Sequence, residues 1–143
     1  MRRGTGVLLA AALCFALLPR ADAAEVTVLA QSAVLMEAES GRVLYAKDAD
    51  TPRLIASTTK LMTALVALES GHSLEEVVTI PAEAAGVEGS SLYLKAGETV
   101  KLKTLLYGML LQSGNDAATA VALYCAGSLE AFAQKMNEKA QQL

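Results

Sequence analysis

Ser57 and Lys60 stand three residues apart at the head of an apolar run spanning residues 55–69. On a helix, positions i and i+3 share a face and can touch. A serine hydroxyl is a poor nucleophile at neutral pH and needs a neighbouring base. A lysine can be that base when burial or a nearby cation keeps it neutral. A helix start adds free N–H groups and the positive end of a dipole, both suited to a developing oxyanion. Ser-x-x-Lys at such a place is a nucleophile and base that need no histidine. The same residues also suit a structural use, with Ser57 as an N-cap and Lys60 as a solvated side chain.

A second group follows at Ser113-Gly114-Asn115, a tight link between two apolar helical patterns. A link between two buried neighbours is rigid and holds a hydroxyl and an amide in place. Ser113 can relay a proton to a leaving amine, and Asn115 can hydrogen-bond a peptide group of a substrate. Local capping is the alternative, because Ser and Asn are favoured in such links for backbone reasons too.

The elements that must hold these residues are legible as patterns. Leu61, Leu65 and Leu68, with Met62 and Val66, predict a buried helix that stops near Gly71. Residues 33–39 and 42–47 flank Ser40-Gly41 and predict a β-hairpin with a two-residue turn. Residues 74–80 predict a short helical turn or strand stopped by Pro81, and 82–97 an irregular loop with short extended pieces. Leu102, Leu105, Leu106, Met109 and Leu110 predict an amphipathic helix. Asn115 or Asp116 is expected to cap a third helix, with Ala118, Val121, Ala122 and Cys125 buried and Gly127 as its stop. Ser128 is expected to cap a fourth, with Leu129, Phe132, Ala133, Met136, Ala140 and Leu143 inward. Two strands alone are barely stable, and the last helical pattern runs to the final residue. A fragment, or a fold completed by strands from elsewhere, is therefore expected.

Composition narrows the function. The chain has 143 residues and a net charge of −3, enough for one modest domain and a poor match for nucleic acid. Aromatic residues make up only 4%, with no tryptophan, which disfavours an aromatic sugar groove. A single histidine, His72, excludes a multi-histidine metal site, leaves a serine–histidine–aspartate triad unsupported, and is expected in an exposed loop. Met1-Arg2-Arg3, the apolar run 7–18 and Ala21-Asp22-Ala23 read as an export signal cleaved after Ala23, with an uncleaved anchor as the alternative. The mature chain then keeps one cysteine, Cys125, on an apolar helix face and without a disulfide partner.

In this order, the two motifs make the chain resemble the penicillin-recognising serine enzymes. The likeness is greatest to the low-molecular-weight penicillin-binding proteins that act as D-alanyl-D-alanine carboxypeptidases. Ser57-Thr58-Thr59-Lys60 matches the family's Ser-x-x-Lys, and Ser113-Gly114-Asn115 its Ser-x-Asn. The hairpin 36–45, the run 60–64, the segment 105–118, and residues 136–140 match as well.

The resemblance implies an α/β (α+β) fold of the β-lactamase/transpeptidase-like type, here incomplete: an N-terminal hairpin and a helical cluster without the later strands. It implies a signal peptide over 1–23 and the first part of a peptidase domain over 24–143. The family's third motif, Lys-Thr-Gly, has no match in this sequence. By the resemblance, Ser57 attacks the bond between the last two D-alanines of a peptidoglycan stem peptide and Lys60 takes its proton. Ser113 relays a proton to the departing D-alanine, Asn115 binds the peptide backbone, and water hydrolyses the acyl-enzyme. No metal or organic cofactor is implied. The implied partners are the stem peptide and β-lactams, with membrane association through a later segment that relatives often have. A transpeptidase, a β-lactamase or an inactive peptide binder shares these motifs.

Overall fold

The computed structural model describes residues 26–143. The expected signal segment and its cleavage site lie outside the described residues. The described chain falls into two units, one ending at Pro52 and one from Arg53 to Leu143.

The first unit holds the hairpin. Strand β1 (Ala33–Met36) pairs antiparallel with β2 (Val43–Lys47), Leu35 opposite Tyr45 and Met36 opposite Val43, with a bulge between. The two-residue turn is corrected to a longer loop. Glu37 and Arg42 close it, the Glu37 amide donating to the Arg42 carbonyl at 2.9 Å. The Glu37 carboxylate lengthens the turn by accepting from the Glu39 and Ser40 amides at 2.9 and 2.7 Å. A local carboxylate acceptor of this kind competes with continued strand pairing.

The second unit is a helical cluster with a small ribbon. A single 3-10 turn (Ala56–Thr58) leads into α1 (Thr59–Leu68). Strand β3 (Val77–Thr79) pairs antiparallel with β4 (Thr99–Lys101), Val78 opposite Val100. Helices α2 (Leu102–Leu111), α3 (Asn115–Ala126) and α4 (Leu129–Gln142) follow. Ala64 and Ala67 of α1, Val78 and Ile80 beside the ribbon, Leu102, Leu105, Leu106 and Met109 of α2, and Ala117, Ala120 and Val121 of α3 form one core. Alanines on α1 and α3 let the helix backbones approach closely, so leucines from α2 fill the space between. Gly108 serves the same packing: a Cβ there would fall 2.2 Å from a Leu92 methyl, so a side chain at this position would force Leu92 to move.

The expected buried face of α1 is met in part: Val66 is buried and Met62 and Leu65 are half-buried. Lys60, Thr63, Ala64 and Ala67 point inward, whereas Leu61 and Leu68 are 67% and 56% exposed. Both sets have helical spacing. The polar partners waiting for Lys60 decide the rotation, because they draw its row into the protein. Leu68 lines a surface hollow with Tyr107 and Leu110 of α2, and Leu61 another with Leu110. Leu110, expected inside, is 46% exposed there.

At the far end, Gly127 closes α3 at φ +78°, and the Ser128 side chain caps α4 by accepting from the Ala131 amide at 3.1 Å, both as the sequence implies. The inward stripe of α4 is shorter than expected. Phe132 is buried and Met136 half-buried, but Leu129, Ala133, Ala140 and Leu143 are exposed. The helix touches the cluster through Phe132 and Met136 and a Lys139–Glu69 ion pair at 2.5 Å, and its last turn meets water. Among the described residues, no helix is long and apolar enough to cross a membrane.

His72 is half-buried rather than a free loop residue. Its Nδ1 lies 2.9 Å from Glu76, and its ring centroid 4.6 Å from that of Tyr124. The Tyr124 hydroxyl, the Ser73 amide and His72 hold the Glu76 carboxyl down at about 2, the tyrosine contributing most. A depressed carboxylate stabilises the fold above the ordinary carboxylate range and loses that effect as pH falls toward its folded value. The thermal midpoint of the wild type is therefore expected to fall faster than that of Glu76→Gln between about pH 4 and 2. Parallel midpoints in a pH series of thermal melts would show that the cluster does not couple to folding.

Candidate active site

Ser57 sits in the 3-10 turn and Lys60 in the first turn of α1, so the pair straddles the junction rather than sharing one α-helical turn. Ala56, just before Ser57, has φ +49°, a left-handed backbone that a non-glycine residue adopts only under constraint. Neither helix start has a side-chain cap, so Ser57 is not used as an N-cap. Its side chain turns instead toward the α2–α3 link. Ser57 Oγ lies 2.6 Å from Ser113 Oγ.

Lys60 is 8% exposed and makes three hydrogen bonds, using the whole donor set of an ammonium. Its Nζ donates to Ser113 Oγ at 2.9 Å, to Asn115 Oδ1 at 2.7 Å, and to the Ser113 carbonyl. Burial pushes the Lys60 pKa below the ordinary lysine value, while the negative charge of Asp116 works in the opposite direction. Moving a cation out of water favours its neutral form, the form a general base requires.

Ser113 also has a left-handed backbone, at φ +56°. That turn aims both its carbonyl and its hydroxyl at the one ammonium. Gly114 occupies the cap position of α3 and no side chain caps the helix, which corrects the expectation for Asn115 and Asp116. Both side chains are engaged elsewhere. Asn115 accepts from Lys60 and donates through Nδ2 to the Glu88 carbonyl at 2.7 Å, and its amide donates to the Ser90 carbonyl at 2.7 Å. Asp116 is fully buried and accepts from the Leu92 and Leu94 amides at 3.0 Å, from Ser91 Oγ at 2.7 Å and from the Ala117 amide at 2.8 Å. Burial alone would raise its pKa, but these donors outweigh it and hold the carboxyl below its ordinary value.

Asp116 is more than the cap that its place beside a helix start suggests from spacing alone. All four singled-out residues do converge: Ser57, Lys60, Ser113 and Asn115 form one continuous polar cluster. Hollows open on both sides of it. One, about 340 Å³, has Ser57, Lys60, Leu61 and Ser113 in its wall, and another, about 410 Å³, has Ser57, Thr59, Lys60 and Asn115. Ser57 and Lys60 both stand in the walls of these hollows, so Ser57 is reachable by a ligand. Cys125, expected on a buried face, is half-buried against the core with its thiol pKa raised by that burial.

Residues 19–143 match the peptidase S11 family model, described as D-alanyl-D-alanine carboxypeptidase. The chain belongs to the D-alanyl-D-alanine carboxypeptidase family. Among curated members, the D-alanyl-D-alanine carboxypeptidase DacF of Bacillus subtilis is 42% identical over 118 residues, which cover 80% of this chain and 30% of that protein. Among solved structures, the carboxypeptidase DacD from Francisella tularensis superposes with a TM-score of 0.78 at 35% identity, covering 87% of this chain and 32% of that one. Penicillin binding protein 5 from Haemophilus influenzae gives 0.77 at 34%, covering 85% and 37%. The fold is therefore that of the penicillin-binding, transpeptidase-like proteins, as the motifs imply. The helices and two small sheets make up part of it, and the chain spans about a third of the length of the curated family members it matches.

Proposed function

We propose that this chain carries the nucleophile and base of a serine-type D-Ala-D-Ala carboxypeptidase acting on peptidoglycan stem peptides. One observation carries the reading: an unbroken hydrogen-bonded path from Ser57 Oγ through Ser113 Oγ to the buried Lys60 Nζ. Membership of the family supports the reaction class. Ser57 Oγ adds to the carbonyl of the penultimate D-alanine. Its proton passes to Lys60, with the Ser113 hydroxyl lying between the two. Collapse of the tetrahedral intermediate breaks the C–N bond, and the proton returns through Ser113 to the departing amine of the terminal D-alanine. Asn115 keeps Lys60 in place and has a second amide hydrogen for the substrate backbone. Water then splits the ester and regenerates Ser57. A β-lactam, which presents a strained amide in the same place, acylates Ser57 in the same way.

The protein works outside the cytoplasm on this reading, which the basic start, apolar run 7–18 and Ala21-Asp22-Ala23 support. The test uses the full-length protein and a fluorescent penicillin. The expected result is one covalent label per chain, its loss in Ser57→Ala, and release of D-alanine from a D-Ala-D-Ala peptide. Equal labelling of Ser57→Ala would overturn the assignment. Labelling without D-alanine release would point instead to an acylated peptide binder.

A further inference from the structure

We infer that Asp116, which touches no reacting atom, is a positioning residue for Lys60: a buried anion that clamps the segment 88–94 against the start of α3 and so fixes Asn115 as the lysine's partner. The inference rests on the proposed role of Lys60 as the base.

The geometry is a set of stitches between two short stretches of chain. From the loop, the Leu92 and Leu94 amides and the Ser91 hydroxyl all donate to one carboxylate. From the next residue back, Asn115 returns two bonds, its amide to the Ser90 carbonyl and its Nδ2 to the Glu88 carbonyl. Leu92 locks the arrangement from beneath, packed so closely that a Cβ on Gly114 would fall 3.0 Å from its Cγ. The Asn115 amide group therefore has no rotational freedom left. One end is tied to the loop, and the other end, Oδ1, is aimed at Lys60 at 2.7 Å. Without the carboxylate, the loop loses the acceptor that gathers three of its donors, and the Glu88 carbonyl that orients Asn115 goes with it.

Asp116 acts on the lysine in a second way. The charged groups on the elements packed here are Lys60 on α1, Asp116 on α3 and the exposed Glu88 at the start of the loop, which otherwise contributes the Ser91 hydroxyl and backbone amides. The negative charge favours the ammonium and opposes the effect of burial. A neutral residue at this position leaves burial unopposed, so the lysine sheds its proton at a lower pH than in the wild type. A purely structural aspartate would lower activity without moving that pH.

The experiment measures the second-order rate of acylation by a fluorescent penicillin across pH, in the full-length protein. Asp116→Asn keeps the shape and removes the charge. The expected result is an acid limb displaced to lower pH, together with a plateau reduced by about 10²-fold, the scale at which small misplacements of a catalytic group act. An acid limb at the wild-type pH would overturn the inference. Should Asp116→Asn fail to fold, Ser91→Ala removes one stitch and leaves the charge. There the plateau is expected to fall severalfold with the acid limb unmoved and the melting temperature close to wild type. A wild-type plateau in Ser91→Ala would overturn the coupling of loop to lysine. Failure of the underlying assignment has a different signature, because Lys60→Arg, which cannot give up its proton, would then be acylated at close to the wild-type rate.

Discussion

Replacing Lys60 by arginine is expected to lower the rate of acylation of Ser57 by about 10³-fold, within the range that loss of a general base produces. Arginine keeps the positive charge and a set of N–H donors for Ser113 and Asn115. It cannot give up a proton in a protein, so it cannot act as the base. Lys60→Met makes the complementary change, keeping the length and burial of the side chain while removing every donor. It is expected to lose activity to a similar degree. It also strands the Ser113 carbonyl and Asn115 Oδ1, acceptors now served by Lys60, at a stability cost of about 1–3 kcal/mol. The pair separates chemistry from support: both variants lose the base, and only methionine loses the ties. Acylation rates of the full-length variants, read beside urea denaturation, decide the matter. An arginine variant within tenfold of the wild type would remove Lys60 from the reaction.

Asp116→Ala is expected to destabilise the protein by about 1–3 kcal/mol, the cost of leaving buried donors without their acceptor. No reacting atom is involved. The carboxylate is wholly enclosed and accepts from three backbone amides and one hydroxyl. Alanine leaves these donors without their acceptor and opens space beneath Leu92. A loss of this size is a large part of the total stability of a domain. Urea unfolding of the full-length protein gives the number, and amide exchange gives the place, since Leu92 and Leu94 should exchange faster than the helix amides. A change under about 1 kcal/mol, the size of an ordinary exposed hydrogen bond, would show that the loop has other anchors.

Much of this site could be read before any fold was known, because its chemistry depends on residue type and short spacing. Ser57 and Lys60, then Ser113 and Asn115, carry their meaning locally, and helices α2 and α3 announce themselves by apolar periodicity. The rotation of α1 was not legible. Its lysine row and its leucine row both have helical spacing, and only the distant Ser113 and Asn115 decide which one turns inward. Strand β4 was missed because Thr99–Lys101 is three residues long, too short for alternation to register, and exists through pairing with Val77–Thr79. Asp116 reads as a cap from spacing alone, because its partners Ser91 and Leu94 lie 25 and 22 residues earlier in the chain. The hairpin loop was misjudged for the opposite reason: Glu37 rewrites the turn from within it.

The left-handed turn at Ser113 ties the reagent to the scaffold. A single peptide unit there is both the elbow between α2 and α3 and a ligand of the lysine nitrogen. A substitution in the core beneath the elbow therefore also moves an acceptor of the Lys60 ammonium. Scaffold and site cannot be altered separately at this residue.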